Sequence, residues 1–368
     1  MNIVQLITEL YPAGAERVVC NLSRALKTRG HQVRVVSLQP LPVADRARVA
    51  IVDELKQAGI AVYSLNLTKG RPWRLRRLSA LLASEPPQIV HSHLFHANLA
   101  GRLLRGSFRG GRLINTIHNC DKRKWRGWQF VCERFTCRRS DCLTAVSEPA
   151  ADYFCRRVGI PRDSVQVVEN GIDPSVELRA GEICELRNAW GVDDCNRVLG
   201  AVGYLSWQKG YDRLLRCFNR MSATIPVGEK WGLVIIGEGE QRKELREMRK
   251  KTPHNLKVSL PGFRADAARC IGAFDLFVMP SRFEGFGLAL VEAMAHGIPI
   301  VASRVDALPG LLAGYKNGEC VDFSCPEIAG KALLRWARTD LRTPQMKWTT
   351  ERMVDEYERL YESLRPRL

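Results

Sequence analysis

The segment Phe283-Glu284-Gly285-Phe286-Gly287-Leu288-Ala289-Leu290-Val291-Glu292 sets two carboxylates on either side of a glycine loop. The apolar run 276–279 before it reads as a strand, and the good helix formers over 288–296 read as a helix. Strand, glycine loop and helix in that order make an anion site. In open parallel sheets such loops lie at the carboxyl ends of the strands, and the first N–H groups and positive dipole end of the helix favour a diphosphate. Glycines at 285 and 287 let backbone approach a ligand closely. Seven residues separate the two glutamates, a span of about 12 Å if most of it is helical, so the two carboxylates serve different parts of an elongated ligand. A nucleotide sugar has that form, with Glu284 at a hexose and Glu292 gripping the vicinal hydroxyls of a ribose. Taken alone, the spacing also fits two solvated glutamates on a helix.

The elements around this loop repeat one rhythm. A buried strand at 3–7, a glycine-bearing loop, an amphipathic helix over 15–28 and a second strand at 32–38 form a βαβ unit. Further strands are expected at 61–64, 89–91, 113–117 and 142–146, with helices between them, which predicts a parallel sheet. The pattern loses its strands after Asn170-Gly171-Ile172-Asp173 and restarts near Val198, with strands at 198–203, 233–236, 258–260, 276–279 and 300–302. The reading is α/β, with an N-terminal Rossmann-like domain over 1–172, a linker over 173–197, a C-terminal Rossmann-like domain over 198–348 and a closing amphipathic helix over 349–368.

At 368 residues the chain is long enough for two cores of ordinary size. Its 45% hydrophobic and 26% charged residues exclude a disordered or fibrous chain. The first residues lack the basic and long apolar regions of a signal peptide, and no apolar run reaches the ~18 residues of a membrane span. A cytoplasmic location is therefore expected, with any membrane contact peripheral. Twelve scattered cysteines without close CxxC pairs predict free thiols and no metal site.

Further motifs extend the first one. Met279-Pro280-Ser281 through Glu284, then Glu292-Ala293-Met294-Ala295 and Gly297-Ile298-Pro299-Ile300-Val301-Ala302-Ser303, resemble the signature of the family 4 retaining glycosyltransferases, the group 1 glycosyltransferases of GT-B fold. Pro12-Ala13-Gly14-Ala15-Glu16-Arg17 resembles that family's first glycine loop, Val90-His91-Ser92-His93 its histidine strand, and Asn115-Thr116-Ile117-His118-Asn119 its acceptor-side motif. Lys209-Gly210, Ile236-Gly237-Glu238-Gly239 and Pro261-Gly262-Phe263 follow in the family's order.

The resemblance implies two Rossmann-like domains facing a cleft, the C-terminal helix packing back towards the first, and transfer of a hexose from a nucleotide sugar, UDP-linked, with retention. It implies that Glu284 contacts the donor sugar, that the N–H groups of Phe286, Gly287 and Leu288 hold sugar hydroxyls or phosphate, and that Glu292 binds the ribose. Lys209 would neutralise the departing diphosphate, Gly262 and Phe263 would meet the base, Gly14 would approach the phosphates or acceptor, and His118 would lie near the transferred sugar. His91 and His93 alternate along one strand and so share a face; His93 reads equally as structural. No Asp-x-Asp motif occurs, so neither a metal nor another cofactor is expected. Two positions depart from the family: Tyr204 stands where an arginine is usual, and Gly310 where a glutamate commonly follows the proline. These keep two rivals open, a nucleotide-sugar epimerase of similar fold and a catalytically weak sugar-nucleotide-binding protein.

The net charge of +17 lies mostly in the first half, where residues 1–180 hold 28 Lys and Arg against 15 Asp and Glu. Residues 122–139 and 71–77 interleave Arg and Lys with Trp and Phe. That mixture suits the headgroup layer of an anionic membrane, which would bring a glycolipid or glycan acceptor within reach on the cytoplasmic face of the inner membrane. Single-stranded nucleic acid is the lesser alternative, and Trp125, Trp128 and Phe135 packing onto their own domain is the bland one.

Overall fold

The computed structural model describes residues 1–43, 46–68, 71–123, 127–174 and 176–364. It divides into two units, one of Met1–Asp173 with Trp348–Leu368 and the other of Pro174–Lys347. In the first, strands β1 (Asn2–Ile7), β2 (Gln32–Ser37), β3 (Ala61–Ser64), β4 (Ile89–His93), β5 (Arg112–Ile117), β6 (Cys142–Ala145) and β7 (Val165–Val167) form one sheet in the order β3-β2-β1-β4-β5-β6-β7. Every pairing is parallel. Inner strands such as β1 are mostly apolar because helices cover both faces of such a sheet, while β4 and β5 bury His91, Ser92, His93, Asn115 and Thr116 among them. Val4, Leu6, Val36, Leu78, Val90, Phe108 and Leu113 close one core cluster, each such side chain stabilising the unit by about 1.5–3 kcal/mol.

The second unit repeats the plan with β8 (Arg197–Val202), β9 (Trp231–Ile236), β10 (Leu256–Gly262), β11 (Leu276–Met279), β12 (Ile300–Ser303) and β13 (Gly318–Val321), in the order β10-β9-β8-β11-β12-β13. Its pairings are parallel too. Leu214, Phe218, Trp231, Leu233, Phe323 and Leu333 lie in its main core cluster. In each sheet the direction of winding reverses once, between β1 and β4 and between β8 and β11. Ligands of open α/β sheets bind outside the strand ends at such a reversal.

Two expectations need correction. The segment 173–197 is more than a linker: it holds the helix Ala180–Ala189. Arg187 on that helix ties it to the second unit, donating to the Ala273 carbonyl at 2.9 and 3.0 Å and pairing with Asp275 at 2.9 Å. The strands β7 and β13 were not expected; both are edge strands of three and four residues with one buried residue each, too short to show as an apolar run.

The C-terminal helix Thr350–Ser363 belongs to the first unit and packs against the helix Gly14–Thr28. Met353, Val354, Tyr357, Leu360 and Tyr361 form its buried face. Glu358 pairs with Arg29 and lies 2.6 Å from His31 Nε2. All twelve cysteines are free thiols. Among the described residues no helix is long and apolar enough to cross a membrane.

Candidate active site

The loops after β8 and β11 lie on either side of the second unit's reversal point, and side chains stitch them together. The Arg282 N–H donates to the Gln208 carbonyl at 2.7 Å, and the Gln208 amide donates to the Phe283 carbonyl at 3.1 Å. The Arg282 guanidinium grips Asp212 with two contacts of 2.8 Å and lies over the Trp207 ring. Burial pushes the Asp212 carboxyl up, but the Arg282 charge and hydrogen bond outweigh it and hold the group below its usual range. The two loops also meet at Gly210, whose φ is 69°; a Cβ there would lie 2.2 Å from the Pro280 carbonyl oxygen.

This bracing brings Lys209 to Glu284 across 75 residues of sequence. Lys209 Nζ donates to Glu284 Oε1 at 2.6 Å, and the Ser281 hydroxyl donates to the same oxygen at 2.7 Å. The Glu284 N–H donates to Asp306 Oδ2 at 2.9 Å. The carboxylate side chain is only 6% exposed, against 22% for the lysine. A buried carboxylate is costly unless cation and hydrogen bonds compensate it, and here both are present.

Directly beyond, the helix Leu288–Ala295 begins at Gly287, whose φ of 117° only glycine adopts readily and whose Cβ would lie 2.8 Å from Leu308 Cδ2. No side chain caps this end. The N–H groups of Phe286, Gly287 and Leu288 therefore stand at a positive helix end beside a lysine, which can take up negative charge. Glu292 lies within the same helix, half-buried. Gly262 ends β10, with Phe263 directly after it. Tyr204 is half exposed in the loop after β8, and Gly310 is exposed in the short helix Leu308–Leu312.

The remaining two expected residues are in the first unit. Gly14 opens the helix Gly14–Thr28 just past β1, again without a side-chain cap. His118 follows β5 and is 9% exposed, its Nε2 3.0 Å from His93 Nδ1. Burial pushes His118 down to about 4 and His91 and His93 well below the ordinary imidazole range, so all three are neutral at pH 7. In the same unit Glu16 is pushed up to about 8 by burial.

A family model described as Glycosyltransferase Family 4 matches residues 12–176, and one described as Glycosyl transferases group 1 matches residues 183–349. The lipopolysaccharide core biosynthesis mannosyltransferase LpsB of Rhizobium meliloti is 30% identical over 69% of this chain and 71% of its own length. The chain belongs to the family 4, group 1 glycosyltransferases. The putative glycosyltransferase EpsF of Bacillus subtilis is 24% identical over 90% of this chain and 88% of its own. Among solved structures, Anabaena HepE in complex with UDP and glucose superposes with a TM-score of 0.83 at 18% identity, covering 99% of this chain and 100% of that one. This glycosyltransferase therefore has the GT-B architecture, with relatives in lipopolysaccharide core and O-antigen biosynthesis.

Motif order had put Lys209 and Glu284 on one site, and the structure joins them directly. Ser281, Asp306, Gln208 and the Arg282–Asp212 brace were not singled out. Ser281 carried a signal, since it lies three residues before Glu284 in the same loop; Asp306, 22 residues on, carried none. In the first unit, Gln5 and the C-terminal tyrosines were missed as partners of the histidines. A glutamine in the middle of the apolar run of β1 was the visible sign.

Proposed function

We propose that this glycosyltransferase moves a hexose from a UDP-linked sugar, with retention of anomeric configuration and without a divalent metal, to a lipid-linked or lipopolysaccharide or exopolysaccharide acceptor. The observation that carries the reading is the buried Glu284 carboxylate held by Lys209 and Ser281 at the start of an uncapped helix. Support comes from the complex of HepE with UDP and glucose and from the relatives that act in lipopolysaccharide core and O-antigen biosynthesis.

In this reading the bond between the anomeric carbon and the diphosphate breaks with its electrons going to the nucleotide. Lys209 and the N–H groups of Phe286, Gly287 and Leu288 stabilise the charge that develops on the leaving oxygen. Glu284 holds the sugar, Glu292 the ribose, and Gly262 with Phe263 the base. Gly14 approaches the phosphates or the acceptor, and His118 serves the transferred sugar. The acceptor hydroxyl attacks from the face the nucleotide leaves, and its proton passes to the departing phosphate oxygen.

The first unit also suits an anionic membrane surface. Trp128, Val131 and Phe135, on the helix Gly127–Thr136, are 50, 56 and 78% exposed. Exposed Arg134, Arg138 and Arg139 adjoin them, and Trp73 is exposed beside Arg71. Phe135 is largely exposed, whereas Trp128 also packs edge-on against Phe95, with ring centroids 5.3 Å apart, as the alternative of packing within the domain requires; Trp125 lies outside the described residues.

The test is a thermal-shift screen of UDP-, GDP- and ADP-sugars, followed by transfer assays with and without a chelator and assignment of the product anomer. Glu284→Gln should abolish transfer while sparing UDP binding. Glu292→Gln should weaken UDP binding about tenfold, the loss of one good bidentate contact. Equal activity in both variants, or a new sugar nucleotide made without any acceptor, would refute the proposal.

A further inference from the structure

The histidine pair of β4 does more than fill space. His91 and His93 have ring centroids 4.1 Å apart, and His93 and His118 5.3 Å. All three are buried, and charging one beside the others in that setting is unfavourable. Each neutral ring therefore carries one proton, on one nitrogen or the other.

For His93 and His118 the Gln5 amide, oriented with its oxygen towards His93, fixes which nitrogen. The Gln5 carbonyl Oε1 lies 2.7 Å from His93 Nε2. A carboxamide oxygen has no proton to give, so His93 Nε2 is the donor and His93 Nδ1 carries a lone pair. His118 Nε2 lies 3.0 Å from that Nδ1. Two lone pairs cannot face each other at this distance, so the proton between the rings belongs to His118 Nε2.

We propose that Gln5 and His93 are positioning residues that hold His118 in its Nε2–H tautomer and leave its Nδ1 as the acceptor nitrogen. Through Nδ1 the imidazole can receive a hydrogen bond from a hydroxyl but cannot give one. A sugar hydroxyl therefore donates to His118, a statement that rests on the transfer reading above; the tautomer itself does not. The neighbouring His91 is bound separately, its Nδ1 2.7 Å from the Tyr361 hydroxyl and its Nε2 2.6 Å from Thr116 Oγ1.

The test is long-range proton–nitrogen correlation on the full chain labelled with 15N-histidine at pH 7, with the His118 signals assigned by their loss in His118→Gln. The expected result is a proton on Nε2 and a lone-pair shift at Nδ1. A proton on Nδ1, which follows if the Gln5 amide is turned the other way, would overturn the inference. Gln5→Leu should give a mixture of tautomers at His118 and lower kcat about tenfold with little change in the KM for donor, whereas Gln5→Glu, which keeps an acceptor oxygen, should retain both tautomer and rate. An unchanged tautomer in Gln5→Leu would remove Gln5 from the role. If that variant does not fold, the wild-type spectrum decides alone. An Nε2–H signal in a chain that transfers no sugar would leave the tautomer assignment standing and refute only the transfer reading.

Discussion

Removing Lys209 tests whether its charge is what allows Glu284 to be buried. The perturbation is Lys209→Met, which keeps most of the side-chain length and deletes the ammonium. Its Nζ lies 2.6 Å from a carboxylate that is 6% exposed, while the lysine is 22% exposed and partly hydrated. Opening a buried pair costs about 3–5 kcal/mol, and the lysine's access to water puts this one near 3 kcal/mol. For a unit of this size that corresponds to a fall of about 6–12 °C in its melting temperature. The double variant Lys209→Met/Glu284→Gln leaves no charge to strand, and the Ser281 hydroxyl can still donate to the amide oxygen. It should therefore recover most of the loss and melt within about 3 °C of wild type. Differential scanning calorimetry of the full chain measures all three proteins. A double variant as unstable as Lys209→Met would refute the argument, because the damage would then come from lost packing rather than from an unpaired buried charge.

Acid should act on the first unit through its histidines. His118 titrates near 4 when folded, against an ordinary 6.5, so below pH 6.5 the unfolded chain takes up a proton that the folded chain refuses. Its contribution is present at pH 7 and is lost as the pH falls, by about 2 kcal/mol between pH 7 and 5. Glu16, raised to about 8 from 4.5, works the other way, gaining stability over the same interval. The informative quantity is thus the stability gap between wild type and His118→Gln in urea, which should shift against wild type by about 2 kcal/mol from pH 7 to 5; a constant gap would contradict the assignment. At the membrane, Phe135→Asp should lower sedimentation with anionic vesicles about tenfold or more, since one inserted phenylalanine is worth about 2 kcal/mol. Binding by wild type that ignores anionic lipid and salt would end that reading.

Which features were legible in the sequence follows from how local their causes are. Inner parallel strands such as β1, β9 and β11 are buried on both faces and show as apolar runs. The edge strands β7 and β13 need no such run, and Gly318-Glu319-Cys320-Val321 looks like a turn. The helix Ala180–Ala189 was hidden because it has no buried residues of its own and is held by Arg187 and by the Glu182–Arg269 pair. The glycine loop and its two glutamates were visible because strand, loop and helix are contiguous. Pairings such as Asp306 with the Glu284 N–H, or Tyr361 with His91, depend on topology alone, since nothing within a few residues of Tyr361 names a histidine 270 positions away.

The return of the chain from the second unit has a consequence for its synthesis. It leaves the first unit at Asp173 and rejoins it at Trp348, where the Ile172 N–H donates to the Trp348 carbonyl at 3.0 Å and the Thr350 N–H to the Ile172 carbonyl at 2.9 Å. On the ribosome the first unit is begun first and completed last. Until its closing helix emerges, the partners that Tyr357 and Tyr361 supply to Thr116 and His91 are missing, while residues 174–347 have everything their own core requires. A chain truncated after residue 347 would therefore hold a finished second unit behind an unfinished first one, its histidine-bearing sheet left without the closing helix.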